Sequence, residues 1–136
     1  MIRIVTLATC HNRIESTRAS LRSLHNQLNE KEQFSLTHVI VDDSSNDGTA
    51  DMIKNEFSEV EVIQGDGNLF WAGGMRLGWE NIRKSLDFYY LFVYNDDVVF
   101  NSDAISALLD GVSSVKADLS GKNHMITGDF TDPESK

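Results

Sequence analysis

At 136 residues the chain fits one domain of ordinary size, and a 40% apolar share that leaves the nine Gly uncounted is enough for a buried core, which excludes a chain disordered throughout. Twelve Lys and Arg against 21 Asp and Glu give a net charge of -9, so a non-specific grip on nucleic acid or on an anionic membrane works against the overall field. A single cysteine, Cys10, excludes an intrachain disulfide framework and a multi-cysteine zinc site, and it suits a reducing, cytoplasmic setting.

Four short β-rich runs alternate with helical patterns: Ile2 to Ala8, Phe34 to Val41, Val60 to Gln64 and Phe88 to Tyr94. That order predicts an α/β domain, a mainly parallel sheet with helices on both faces in a Rossmann-like nucleotide-binding arrangement. The first run is broken by Arg3 and is too short to span a bilayer, and no apolar signal-peptide core precedes it. After it, Ile14, Thr17, Leu21, Leu24 and Leu28 recur at steps of three and four, which predicts a helix from about Arg13 to Asn29, capped by Asn12 with Glu15 completing a box. A second helix is expected after Gly48 with Met52, Ile53 and Phe57 inward. A third should bury Met75, Leu77, Trp79 and Ile82, and a fourth Ala104, Ile105, Leu108 and Leu109 behind an Asn101 or Ser102 cap. The single proline, Pro133, lies in a polar tail from Thr131 to Lys136, so no internal linker is expected.

Parallel sheets bind ligands at the carboxyl ends of their strands, which makes the polar residues after each run the informative ones. Strand one ends in Thr9-Cys10-His11-Asn12-Arg13, strand two in Asp42-Asp43-Ser44-Ser45-Asn46-Asp47-Gly48-Thr49, and strand four in Asn95-Asp96-Asp97. Asn95-Asp96-Asp97 at a rigid strand end is an oxygen-ligand set for a hard divalent cation, or else a polar turn of the kind Asn and Asp favour. The strand-two cluster offers a carboxylate to a base N–H or ribose hydroxyls, or else caps its own strand-to-helix turn. It is no EF-hand, because read from Asp43 it places Lys54 where a bidentate Glu belongs. Gly73 and Gly74 fall where the third helix is expected to start, either as a phosphate-approaching turn or as a hinge beneath an aromatic loop. No Walker A or G-x-G-x-x-G pattern is present, the four His lack metal spacing, and Cys10 has no adjacent base, so it is read as a small buried side chain.

Taken together, Thr9-x-His11-Asn12-Arg13, then Val41-Asp42-Asp43-x-Ser45-x-Asp47-Gly48-Thr49, then Asn68-x-x-x-Ala72-Gly73-Gly74, then Asn95-Asp96-Asp97 resemble family 2 glycosyltransferases of the GT-A fold, in order and in spacing. The resemblance implies a donor site for a nucleoside-diphosphate sugar (UDP, dTDP or GDP). Thr9, His11 and Arg13 would line the nucleotide pocket, and Asp43 or Asp42 would hydrogen-bond the base. Asp96 would approach the ribose or sugar, and Asp97 would ligate Mn or Mg against the diphosphate. Asn95 stands in for the first Asp of a DXD motif. Gly73, Gly74 and Arg76 would contact the donor, Arg76 at a phosphate.

The same likeness implies inverting transfer to a glycan or lipid-linked acceptor, as in polysaccharide, lipopolysaccharide or glycoprotein assembly, through a carboxylate base carried well beyond the DXD. Only 39 residues follow Asp97, and Asp110, Asp118, Asp129, Asp132 and Glu134 match no base motif. The expectation is therefore a donor-binding part of a longer enzyme, inactive in transfer alone and exposing an apolar sheet edge that favours self-association, with any membrane-face association belonging to the longer protein. A nucleotidyltransferase, a phosphoacceptor domain and a non-catalytic nucleotide-binding module are the alternatives. The first lacks its glycine-rich loop after strand one, and the second its acidic pair there.

Overall fold

Alternation along the two longest strands decides what each face of the sheet receives. In β1 (Ile2–Cys10), Ile4, Ala8 and Cys10 join one apolar cluster while Val5 and Leu7 join the other; in β2 (Phe34–Asp42), Ile40 goes to the first and Val39 and Val41 to the second. The computed structural model describes residues 1–116 and 125–128; the expected polar tail, Asp118, Asp129, Asp132 and Glu134 lie outside the described residues. With β3 (Glu61–Gln64) and β4 (Tyr90–Val93) the strands form a four-stranded sheet in the order β3-β2-β1-β4, every pairing parallel. Strands buried on both faces read as the near-continuous apolar runs seen in the sequence.

The helices divide between the two faces. Leu21 and Leu24 of α1 (Ile14–His25), Met52 and Ile53 of α2 (Thr49–Glu56), and Ile105 and Leu109 of α4 (Ala104–Lys116) pack into the first cluster, while Ile82 of α3 (Phe70–Ser85) packs into the second. Helices on both faces of a parallel sheet are what the element order required. Among the described residues no helix is long and apolar enough to cross a membrane.

Local outcomes depart from the expected ones where another loop supplies the partner. Helix α1 stops at His25, and Leu28 is 52% exposed, because Asn29 organises the following turn by accepting from the Gln33 N–H (2.8 Å) and donating to the Phe34 carbonyl (2.7 Å). The expected Asn12–Glu15 capping box does not form. Asn12 sits at φ +50° with its Oδ1 accepting the Asn46 N–H, Glu15 pairs with Arg18, and the Ile14 N–H donates to Asp47 Oδ2 at 3.0 Å. Likewise the Ile105 N–H of α4 is taken by Gln27 Oε1 (3.0 Å), across from α1. Trp79, expected inward, is 40% exposed and meets Phe88 edge-on.

Helix α3 starts at Phe70, so the glycine pair lies inside the helix and not at its start. Gly74, Gly78 and Ile82 are its buried residues, one turn apart. A Cβ on Gly74 would collide with the Thr9 side chain, and one on Gly78 with Leu7, so the helix rests backbone-first on β1. This close approach is to the sheet, and it seats the amino end of α3 over the carboxyl end of β1.

Candidate functional site

Register brings the three polar clusters to one edge. Cys10 pairs with Asp42 across β1 and β2, Leu7 pairs with Val93 across β1 and β4, and the Tyr94 N–H continues to the Leu7 carbonyl (3.1 Å). The residues after each strand therefore emerge side by side. Hydrogen bonds lock the first two loops together: the Asn12 N–H donates to Ser45 Oγ (2.9 Å), His11 Nδ1 meets the Asp43 carbonyl (2.7 Å), and Asp47 serves both α1 and α2, accepting from Ile14 and from the Thr49 N–H (3.1 Å) and hydroxyl (2.5 Å). A carbonyl can only accept, so Nδ1 of His11 carries the proton and Nε2 faces the Asn12 amide at 3.3 Å. The Thr49 hydroxyl, then the backbone N–H groups, hold the Asp47 carboxyl below its usual range.

Adjacent aspartates do different work because they point to opposite faces. Asp42, fully buried on the α1 side, accepts the Ser45 N–H (3.1 Å) and lies 3.9 Å from the Cys10 thiol. Asp43, on the α3 side, accepts three backbone N–H groups: Gly67 on Oδ1 (2.7 Å), and Leu69 (3.0 Å) and Phe70 (3.2 Å) on Oδ2. The anion that the amino end of α3 receives in this structure is therefore this side chain. Gly65 makes room for it, since a Cβ there would stand 2.5 Å from Asp43 Oδ1.

The cleft that results has a volume of about 460 Å³ and is lined by Thr9, Cys10, His11, Arg13, Asp43, Asn95, Asp96 and Asp97, with Phe70 and Trp71 forming a further wall. Seven residues proposed from sequence thus meet in one cavity: Thr9, His11, Arg13, Asp43, Asn95, Asp96 and Asp97. Asp42 lies beneath it, Gly73 and Gly74 lie in the helix behind it, and Arg76 is exposed on α3, close enough to Glu80 to help lower that carboxyl. Phe70 and Trp71 are cleft residues that the sequence does not single out, since an aromatic loop ahead of a glycine pair fits a hinge as well as a binding wall.

Electrostatics divides the two terminal aspartates. Asp96 is 6% exposed; burial pushes its carboxyl up, against the pull of Arg13 and of Thr17, whose hydroxyl donates to Oδ2 at 3.3 Å. The Asp97 side chain is 54% exposed and, among the described residues, pairs with Arg13 Nη1 at 3.5 Å, the same nitrogen standing 3.4 Å from Asp96 Oδ1. Contacts this long on a half-exposed guanidinium contribute at most about 1 kcal/mol, so Arg13 is readily released to another anion. Burial, then Asp42, pushes the Cys10 thiol far up, which leaves it protonated and unsuited to nucleophilic work.

An all-parallel sheet with helices on both faces and a polar cleft at its carboxyl edge defines a Rossmann-like α/β domain with its candidate site at the strand ends, and comparison with known proteins sharpens this. The Glycosyl transferase family 2 model matches residues 7–133, and the chain belongs to that family. Comparison with curated proteins gives no match. Among solved structures, S. aureus TarS 1-349 superimposes with a TM-score of 0.63 at 19% identity, covering 85% of this chain and 33% of that one. TarS 1-349 in complex with UDP-GlcNAc gives 0.62 at 20%, covering 86% and 32%. The mannosyltransferase PcManGT from Pyrobaculum calidifontis, in complex with GDP-Man and Mn2+, gives 0.62 at 14%, covering 83% and 32%. The fold is GT-A, and the chain spans about a third of the length of these structures.

Proposed function

We propose that this chain is the donor-binding part of an inverting glycosyltransferase that takes a nucleoside-diphosphate sugar, with a divalent ion at Asp97, and serves a glycan or lipid-linked acceptor. The observation that carries the reading is the meeting of Asp96, Asp97 and Arg13 with His11 and Asp43 in one cleft. Support comes also from the neighbours' ligands, UDP and UDP-GlcNAc in TarS and GDP-Man with Mn2+ in PcManGT.

The donor set suits an ion shared with substrate. No group of three His, Cys, Asp or Glu able to hold a metal occurs among the described residues, so Asp97, with Asn95, would supply part of a shell that diphosphate oxygens and water complete, as Mn and Mg accept. Bound there, the ion would supply Lewis-acid stabilisation of the leaving diphosphate. Without it, each phosphate charge about 5 Å from a carboxylate is repelled by about 3 kcal/mol at an effective dielectric near 20. Arg13 would turn from the aspartates to the phosphates. Asp43, with three of its roughly four acceptor positions filled by backbone, keeps one for the base. Thr9 and His11 would frame the nucleotide, and Asp96, held by Thr17, the ribose or sugar.

Asp97→Ala tests the metal assignment. The wild-type chain is expected to bind a nucleoside diphosphate tens of times more tightly with Mn than with a chelator, and the variant to lose most of that difference while keeping its melting temperature. A variant with undiminished metal dependence would place the ion elsewhere.

A further inference from the structure

The cleft has one wall that the proposed donor chemistry does not use. Phe70 and Trp71 line it while remaining 78% and 56% exposed, the largest apolar side chains at this edge left uncovered. Burial of an aromatic ring is strongly favourable, so two exposed neighbours beside carboxylates and a guanidinium mark a surface kept open for a ligand with a flat apolar face.

Their backbone is fixed in advance. Phe70 sits at φ +54°, a left-handed conformation that costs a bulky residue energy, and its N–H and that of Leu69 are held by buried Asp43. Behind it, Gly74 against Thr9 sets the height of the helix on β1. Trp71 also borders a second groove, beside Phe92, Val93 and Asn95, so it stands toward the β4 end of the edge, the side of Asp97. Asp43 stands at the β2 end, two strands away.

We propose that Trp71 is the platform for the hexose ring of the donor, stacking on the ring's apolar C–H face, and that Asp43 is the positioning residue that presents it. The inference rests on the nucleotide-sugar reading and deepens it. A base held near Asp43 and a diphosphate near Asp97 leave the sugar at the Trp71 end of the cavity. The stacked contact senses the presence of a pyranose and not the identity of the base.

The test uses the 136-residue chain carrying Trp79→Phe, which leaves Trp71 as the only indole. Its fluorescence is followed with Mn as UDP, UDP-GlcNAc, GDP, GDP-mannose, dTDP and dTDP-glucose are added, with nucleotide binding measured separately by calorimetry. The expected result is a saturable emission change with one nucleotide sugar and little with its parent diphosphate. Trp71→Ala should weaken that sugar nucleotide about five- to tenfold, leave the diphosphate unchanged, and be largely rescued by Trp71→Phe. Asp43→Ala should weaken the same discrimination, and Asp43→Asn less so. Equal emission changes with diphosphate and sugar nucleotide would overturn the platform and assign the indole to the base. Calorimetric binding with a silent indole would overturn it while sparing the donor site. Absence of binding by any nucleotide would overturn the donor-site reading and the platform with it.

Discussion

Asp43 spends its carboxylate on the backbone of residues 67–70, and this makes it a structural anchor as well as a cleft residue. Removing it orphans three N–H groups at the amino end of α3, so Asp43→Ala should lower stability by about 2–4 kcal/mol in urea denaturation, with Asp43→Asn intermediate. A change under 0.5 kcal/mol would contradict the anchoring role. The sequence alone left Asp42 and Asp43 interchangeable, although strand parity separates them: counting by twos from Ile40 reaches Asp42 on the α1 face, and from Val41 reaches Asp43 on the α3 face. The same parity turns His38 toward the α1 face. It is buried with Nδ1 on the Thr6 hydroxyl (2.8 Å) and stacked on His25, and burial lowers its pKa from 6.5 to about 4. The unfolded chain thus takes up a proton below pH 6.5 that the folded chain refuses until about pH 4. This group's share of stability is intact above pH 6.5 and is lost across that window, in total about 3 kcal/mol. Urea midpoints at pH 7 and 4.5 should fall less for His38→Gln than for the wild type; parallel falls would show that another group carries the acid sensitivity.

At the scale of elements, the helices were legible in type and order because apolar periodicity reports burial, whereas their caps were not, because the capping groups come from elsewhere in the chain. Asp47 caps α1 from the loop after β2, and Gln27 serves α4 from the end of α1. Several residues that carried the family resemblance, namely Asn12, Ser45, Asp47 and Thr49, therefore hold two loops together and position the cleft without lining it. Glycines make the sharper test, because two of them in helices should respond with opposite signs. Gly78→Ala adds about 1 kcal/mol of helix propensity but drives a methyl into fully buried Leu7 and within 3.1 Å of Val41, an overpacking cost of about 1–3 kcal/mol that wins. Gly111→Ala in α4 meets nothing within 4 Å and should stabilise by about 0.5–1 kcal/mol. Thermal melts of both variants decide the matter, and a stabilised Gly78→Ala would show that α3 does not rest on β1 as described.

For the whole molecule, a net charge of -9 and a cleft with three carboxylates against one guanidinium pose the same question to the proposed function: how such a surface would accept a diphosphate. The parallel α/β architecture was legible because strands covered on both faces read as continuous apolar runs, and with it came the convergence of three polar clusters at one edge. What the sequence did not disclose is which members of those clusters face the cleft, since that follows from register between strands far apart in the chain. The proposed function answers with a cation, and calorimetric titration of UDP, GDP and dTDP into the chain, each with Mn and with a chelator, tests it most directly. The account predicts saturable binding of one nucleotide that weakens by tens of times when the metal is removed. Binding of equal strength with and without metal would contradict it.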